Sequence, residues 1–358
     1  MQKQATAKSH KALLLSTAAF TLCFAAWMIN GVLVTFLAAN QVFQWDPVEI
    51  GWLMGIPILT GALLRLPAGI LTDLYGGKPI YTGLLFVCAV PMYLLSHADS
   101  FWTFALCSAG FGLAGVSFSI GIAYSSAWYP RHRQGTVLGI FGAGNAGAAL
   151  TTFFAPTLLN SITDNGSNLE EWRQLPIYYA IMFIVLGITF ATFAENKKTS
   201  SKAKTLNQML RPLKDLRVWR FGLYYFLVFG CFVAFSQWLV PYFVNVYYLS
   251  LVTAGLLASA FSLPSGVIRA LGGWLSDAIG ARAVMYWVLG LSVAISFMLV
   301  IPKMEVYSPG QGIMASRAGT VVLATNSQII VDDRTYQLEM PDRSFEELDD
   351  KVVVFPTK

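Results

Sequence analysis

Apolar residues along this chain come in long blocks, not at the short period of an amphipathic surface helix or a half-buried strand. Nine blocks are long enough to cross a bilayer as helices, at roughly 13–38, 48–73, 79–97, 100–128, 134–160, 175–194, 218–247, 250–276 and 283–301. The first follows the basic stretch MQKQATAKSHK and is longer than the core of a cleaved signal peptide, so it reads as a span. Residues 302–358 lose the pattern. There GTVVLATNSQIIVDDRTYQLEM reads as short strands joined at TNS and DD, and DRSFEELDDK is acidic and polar. The prediction is an all-α polytopic membrane protein with a small β-rich soluble tail.

Charge supports this reading and gives it an orientation. Only 12% of the residues are charged, where a soluble domain has about 25%. The loops DLYGGK, YPRHRQG, NKKTSSKAKTLNQMLRPLKDLR and DAIGAR carry nearly all the loop lysines and arginines. The alternate loops QWDPVE, HADS and TDNGSNLEEWRQ are acidic or neutral. Positive-inside bias then predicts a multi-pass protein of the inner (plasma) membrane, with a cytoplasmic N-terminus and an extracytoplasmic tail. The long basic loop separates six spans from three. The expected organisation is therefore a six-helix half at 1–194, a cytoplasmic linker at 195–217, a partial second half at 218–301 and the tail at 302–358. The net charge of +5 is too modest to suggest a nucleic-acid partner. Cys23, Cys88, Cys107 and Cys231 lie inside apolar runs, with neither metal-site spacing nor a disulfide framework. With no nucleophile–base constellation, phosphate loop or metal-ligand cluster in view, no enzyme and no metal are expected.

A duplication is visible. RLPAGILTDLYGGK and RALGGWLSDAIGAR match at one fixed offset of 204: Arg65 and Arg269, then Gly69, Leu71, Asp73, Gly76 and Lys78 against Gly273, Leu275, Asp277, Gly280 and Arg282. Repeated halves about an axis along the membrane normal, with this loop after the second helix and its echo after the eighth, resemble the major facilitator superfamily. The resemblance implies that fold, with the motif residues at a gate. The glycines permit close approach and a tight turn. Each Asp can accept hydrogen bonds from a helix N-terminus or from an arginine such as Arg131 or Arg133. A tight polar turn without a gating role is the alternative.

The loop motif does not require Arg65 or Arg269, which sit about one turn inside the membrane. A charge at mid-bilayer costs at least ~2.5–3.5 kcal/mol and almost always faces a cavity or a partner. No Asp or Glu lies in the middle of any predicted span to neutralise them. Either each arginine snorkels to the surface, or the two converge at the midplane as a cationic pocket whose counter-charge is the substrate. Arg suits a flat oxyanion because its planar fork makes paired hydrogen bonds.

Span 5 adds GTVLGIFGAGNAGAAL, with Gly135, Gly139, Gly142, Gly144 and Gly147 around one amide, Asn145. Such glycines serve close helix packing, or let backbone N–H groups and the amide approach a small anion. With one arginine in helix 2 and one in helix 8, the stretch resembles the nitrate/nitrite porter family over residues from about 13 to 301. That resemblance implies nitrate or nitrite bound between Arg65 and Arg269, signature glycines at Gly139, Gly142, Gly144 and Gly147, the amide at Asn145, and an aromatic wall assigned to Phe118 and Tyr225. It also implies transport by alternating access, as exchange or as proton symport.

The family has twelve helices, so helices 10 to 12 and a second glycine signature are expected to be missing. The expected explanations are a truncated product, a second polypeptide supplying helices, or an inactive fragment whose outer β-module serves binding or assembly. Another small or organic anion is the alternative cargo. SPGQGIMASRAGTVV resembles a biotinyl or lipoyl turn but has no lysine at the attachment point, so no cofactor is expected.

Overall fold

A computed structural model of the chain describes residues 7–197, 208, 210–247 and 249–300, and five short segments of the tail at 321–324, 328–331, 334–337, 346–348 and 351–353. Among the described residues nine helical segments are long and apolar enough to span a membrane. They are span 1 (Ala7–Ala39), span 2 (Pro47–Tyr75), span 3 (Gly77–Leu95), span 4 (Phe101–Ser126), span 5 (Arg131–Ile162), span 6 (Leu169–Phe193), span 7 (Leu216–Val246), span 8 (Leu251–Ile279) and span 9 (Ala281–Met298). Each lies within a few residues of a predicted block.

Local chemistry marks the ends. Asp46 and Glu49 form a reciprocal capping box at the start of span 2, with Pro47 as the first helical residue. Ser100 and Thr103 do the same for span 4, and Ser250 caps span 8. Spans 2 and 8 stop at Gly76 (φ 90°) and Gly280 (φ 93°), conformations that L side chains rarely adopt. These are two equivalent positions of the repeat, so the duplication extends to backbone conformation.

Four spans are interrupted within their length, which the apolar pattern did not foretell. Span 1 breaks between Trp27 and Asn30, and span 2 between Leu63 and Arg65. Span 4 tightens to 3₁₀ at Leu113–Val116, and span 5 at Ala143–Ala146. In span 2, Pro67 lacks an N–H and its ring presses on the Leu63 carbonyl, which accounts for the break there. Pro57 likewise cannot bond to the Leu53 carbonyl four residues before it. Asn30 of span 1 supplies the missing donor, with Nδ2 2.7 Å from that oxygen. Trp27, one turn earlier, donates Nε1–H to the Pro57 carbonyl at 2.7 Å. Two side chains of span 1 thus satisfy the backbone of the kinked span 2, where no water competes.

Close approach of backbones does the rest. Span 5 runs between spans 1 and 8. A β-carbon built on Gly144 would meet Phe20 and Thr21 of span 1, and one on Gly147 would meet the Thr21 carbonyl. On the other flank, one on Gly139 would lie 2.5 Å from the Arg269 carbonyl, and one on Gly266 would lie 2.6 Å from the Ala146 nitrogen. Small residues are needed here because backbone-to-backbone packing replaces the hydrophobic drive that lipid removes.

Close contacts group residues 1–242 with 250–289, and residues 243–249 with 290–358. In the second group β1 (Val321–Ala324), β2 (Gln328–Val331) and β3 (Arg334–Gln337) form an antiparallel sheet, with Ile330 opposite Thr335. β4 (Glu346–Leu348) pairs antiparallel with β5 (Lys351–Val353). The rest of the expected soluble tail lies outside the described residues.

The repeat predicts unequal behaviour at equivalent glycines. At Gly273 a β-carbon would meet the Gly135 carbonyl and lie 2.9 Å from the Gly139 Cα, whereas at Gly69 it would meet nothing. Gly273→Ala is expected to lower stability by about 1–3 kcal/mol. Gly69→Ala should be neutral or stabilising by up to about 1 kcal/mol, from lost backbone entropy in the unfolded chain. Thermal unfolding of the two variants in detergent measures the difference.

Candidate functional site

Arg65 opens the resumed helix of span 2. Its Nε–H donates to the Gly115 carbonyl of the 3₁₀ stretch of span 4, at 3.1 Å. That stretch can come so close because Gly61 and Gly115 leave room for the Trp27 indole between spans 1, 2 and 4. The guanidinium carbon then lies 5.4 Å from the Trp27 ring, 5.5 Å from Phe118 and 5.2 Å from Phe229. Its Nη2 is buried without a hydrogen-bond partner.

Arg269 approaches from span 8. Its stem lies across Gly142 of span 5, where a β-carbon would stand 3.5 Å from the Arg269 Cδ. Its guanidinium carbon is 5.0 Å from the Phe232 ring and 5.5 Å from the Phe229 ring. Its Nε is also buried and unpartnered. Both cations therefore sit on one ring, Phe229, and their separation cannot exceed the sum of their distances to it. Among the described residues the ion pairs are Lys8–Glu195, Arg173–Asp99 and Arg173–Glu170, and neither Arg65 nor Arg269 takes part. Cation–π contact offsets part of the desolvation of each group, but it leaves the in-plane N–H donors free.

Phe118 and Tyr225, assigned from the sequence, join this cluster. Tyr225 stacks on Phe229 with centroids 4.7 Å apart, and Phe118 stacks on both Tyr225 (5.8 Å) and Phe229 (5.7 Å). Trp27, Phe229 and Phe232 were not singled out from the sequence. Phe229 and Phe232 fall four and seven residues after Tyr225, on one helical face, and that spacing was the available signal. The helix-5 residues divide. Gly142 touches Arg269, and Asn145, fully buried one turn on, donates Nδ2–H to the Gly142 carbonyl at 2.7 Å while its Oδ1 has no partner. Gly144 and Gly147 face span 1, and Gly139 backs onto the main chain of Arg269.

Comparison with known proteins decides the family. Residues 15–335 match the Major Facilitator Superfamily. Over 299 residues the chain is 44% identical to a protein of Thermus thermophilus named "Probable nitrate/nitrite antiporter NarK1", covering 82% of this chain and 67% of that one. The chain belongs to the nitrate/nitrite porter family of the major facilitator superfamily. It is also 29% identical over 315 residues to a "Nitrite extrusion protein" of Bacillus subtilis, covering 87% of this chain and 77% of the relative. Among solved structures, a bacterial homologue of the human lysosomal transporter Spinster, in an inward-facing and occupied conformation, superposes with a TM-score of 0.59 at 17% identity. That match covers 76% of this chain, which spans 61% of the solved one, and it speaks for the fold alone.

In this porter-family chain the two copies of the loop motif are in different states. Asp277 accepts hydrogen bonds from the Gly135 N–H at 2.9 Å, and from the N–H and Oγ1–H of Thr136 at 2.6 and 2.7 Å. The helix beginning at Gln134 thus presents its unpaired amides to a carboxylate. Neither Arg131 nor Arg133 forms an ion pair among the described residues. Asp73, its repeat equivalent, has no hydrogen-bond partner there. Around Gly76 the Asn196 side chain closes the turn instead, its Nδ2–H donating to the Tyr75 carbonyl at 3.0 Å and its Oδ1 accepting from the Lys78 N–H at 3.4 Å. Gly280 has nothing near it, and Arg282 is exposed. Among the described residues no three His, Cys, Asp or Glu side chains are grouped as metal ligands.

Two contrasts test this arrangement by thermal unfolding in detergent. Asp277→Ala removes three hydrogen bonds at an exposed position and should cost about 1–2 kcal/mol, while Asp73→Ala should stay within about 0.5 kcal/mol of the parent. Trp27→Phe keeps an aromatic ring near Arg65 but deletes the donor to the Pro57 carbonyl. Its expected cost is about 0.5–1.5 kcal/mol, for one buried hydrogen bond lost.

Proposed function

We propose that this chain carries nitrate and nitrite across the membrane by alternating access, with the anion held between Arg65 and Arg269. The observation that carries the proposal is the pair of guanidinium groups sharing the Phe229 ring, each with an unfilled buried donor and neither with a carboxylate. Like charges no more than about 11 Å apart repel by at least roughly 1.5 kcal/mol at an effective dielectric of about 20. A monovalent anion between them reverses that sign. A flat trigonal oxyanion can take in-plane N–H donors from both forks while the stacked rings of Phe118, Tyr225 and Phe229 wall its faces. Asn145 and Gly142 stand where the Arg269 stem passes and complete that side. The relatives' names, a nitrate/nitrite antiporter and a nitrite extrusion protein, favour this cargo.

In the proposed cycle residues 1–194 and 218–301 are the two rocking bodies, joined by the basic loop at 195–217, with the N-terminus cytoplasmic. The contact between Asp277 and the start of span 5 is the gate on the motif side. Only the loaded site, with its repulsion screened, closes and moves, which favours exchange over uptake of one anion.

The test is nitrate/nitrite counterflow by the full chain in proteoliposomes. Arg65→Lys and Arg269→Lys each lose the planar fork while keeping charge, and each is expected to weaken nitrate affinity by about tenfold or more. Normal affinity in either variant overturns the clamp. Formate or lactate competing as well as nitrite would assign the site to carboxylates instead.

A further inference from the structure

A cavity of about 560 Å³ runs between spans 2 and 7, with Arg65, Tyr225 and Phe229 at one end and Gln237 at the other. Tyr225, Phe229, Val233 and Gln237 recur every four residues along span 7 and all line it. Twelve residues at 1.5 Å each place Gln237 about 18 Å along the helix from Tyr225. Apart from the two tryptophan indoles, the lining between these ends is apolar.

Gln237 is an odd choice for packing. It is only 2% exposed, yet its Oε1 has no partner. Its Nε2 reaches only Met54, with the carbonyl at 3.5 Å and Sδ at 3.4 Å, both at the limit of a hydrogen bond. Asn30, one helix away, likewise leaves its Oδ1 without a partner among the described residues, but its Nδ2 donates at 2.7 Å to the Leu53 carbonyl and at 3.0 Å to the Ser108 hydroxyl, so the long Nε2 contacts are what set Gln237 apart. The main chain at Gln237 lies close against span 1, since a β-carbon on Gly31 would stand 2.8 Å from its carbonyl oxygen. A backbone packed against span 1 thus carries a loosely bonded amide into a cavity that leads to Arg65. A buried, half-satisfied amide is costly in an apolar setting, where leucine would fill the space without penalty.

We infer that the Gln237 amide is a second contact point for the transported anion, a station at the far end of the cavity from the arginine pair. Its N–H donors exchange the long Met54 contact for an anion oxygen. Its free Oε1 accepts from the water that the anion still carries. This inference rests on the proposed nitrate/nitrite transport.

The experiment compares the parent with Gln237→Leu, Gln237→Met and Gln237→Glu, each as the full chain. It reads nitrate/nitrite counterflow in proteoliposomes and equilibrium nitrate binding in detergent. Removing the amide is expected to slow counterflow about tenfold, the equivalent of one hydrogen bond to a charged group. Nitrate binding at the arginine pair should stay unchanged. Glu, which repels the anion at the same volume, should slow counterflow further than Leu. Methionine matches the shape of glutamine and serves if the leucine variant does not fold. Parental counterflow in Leu or Met overturns the inference, as does a loss of binding equal to that of Arg65→Lys, which would place the amide in the arginine site. A parent that catalyses no counterflow defeats the transport reading itself, and the station falls with it.

Discussion

Two guanidinium groups resting on a single phenylalanine ring, with no ion pair among the described residues, are the constraint on which the rest of this molecule depends. Arg65 and Arg269 come from different spans, related by the internal repeat, and each brings a full charge into an apolar bundle. A cation there must be paired, coordinated by carbonyls or set against π-faces. The chain uses one carbonyl, from Gly115, and four rings, from Trp27, Phe118, Phe229 and Phe232. These contacts leave the Arg65 Nη2 and the Arg269 Nε without partners among the described residues.

Holding them there imposes irregularity on the helices around them. A carbonyl can reach Arg65 from span 4 where the helix tightens to 3₁₀ and Gly115 leaves room. Span 2 must break before Arg65. Span 5 must be bare at Gly142 for the Arg269 stem to cross it. Side chains of spans 1 and 4 bond to main-chain carbonyls of span 2: Trp27 to Pro57, Asn30 to Leu53, whose helical donor Pro57 removes, and Ser119 to Arg65. In a membrane such breaks are tolerated where protein or a cavity covers them.

The repeat is exact enough to set the same positive φ at Gly76 and Gly280, yet its two copies serve different partners. Asp277 is tied to the start of span 5, and the glycine above it is pressed against that helix. Asp73 and Gly69 meet neither. Equivalent motif positions therefore acquire different energetic roles from the helix that lies across them.

By itself the sequence determined the spans, because twenty apolar residues have one stable way to satisfy their backbone in lipid. It also determined the duplication, the two arginines and the glycine-rich fifth span, because charge in hydrocarbon and small residues at fixed spacing are rare enough to stand out. It could not choose between packing and anion contact for each glycine of that span. The Cβ direction gives each glycine its neighbour in the fold, sending Gly144 and Gly147 toward span 1 while Gly142 meets Arg269. Nor could it select Trp27, Phe229 and Phe232 among 50 aromatic residues, since any of these rings packs equally well in an apolar helix. Only the tertiary structure brought those three rings to the arginines, because which side chains meet a charge depends on where distant helices cross, and a one-dimensional pattern carries no record of that.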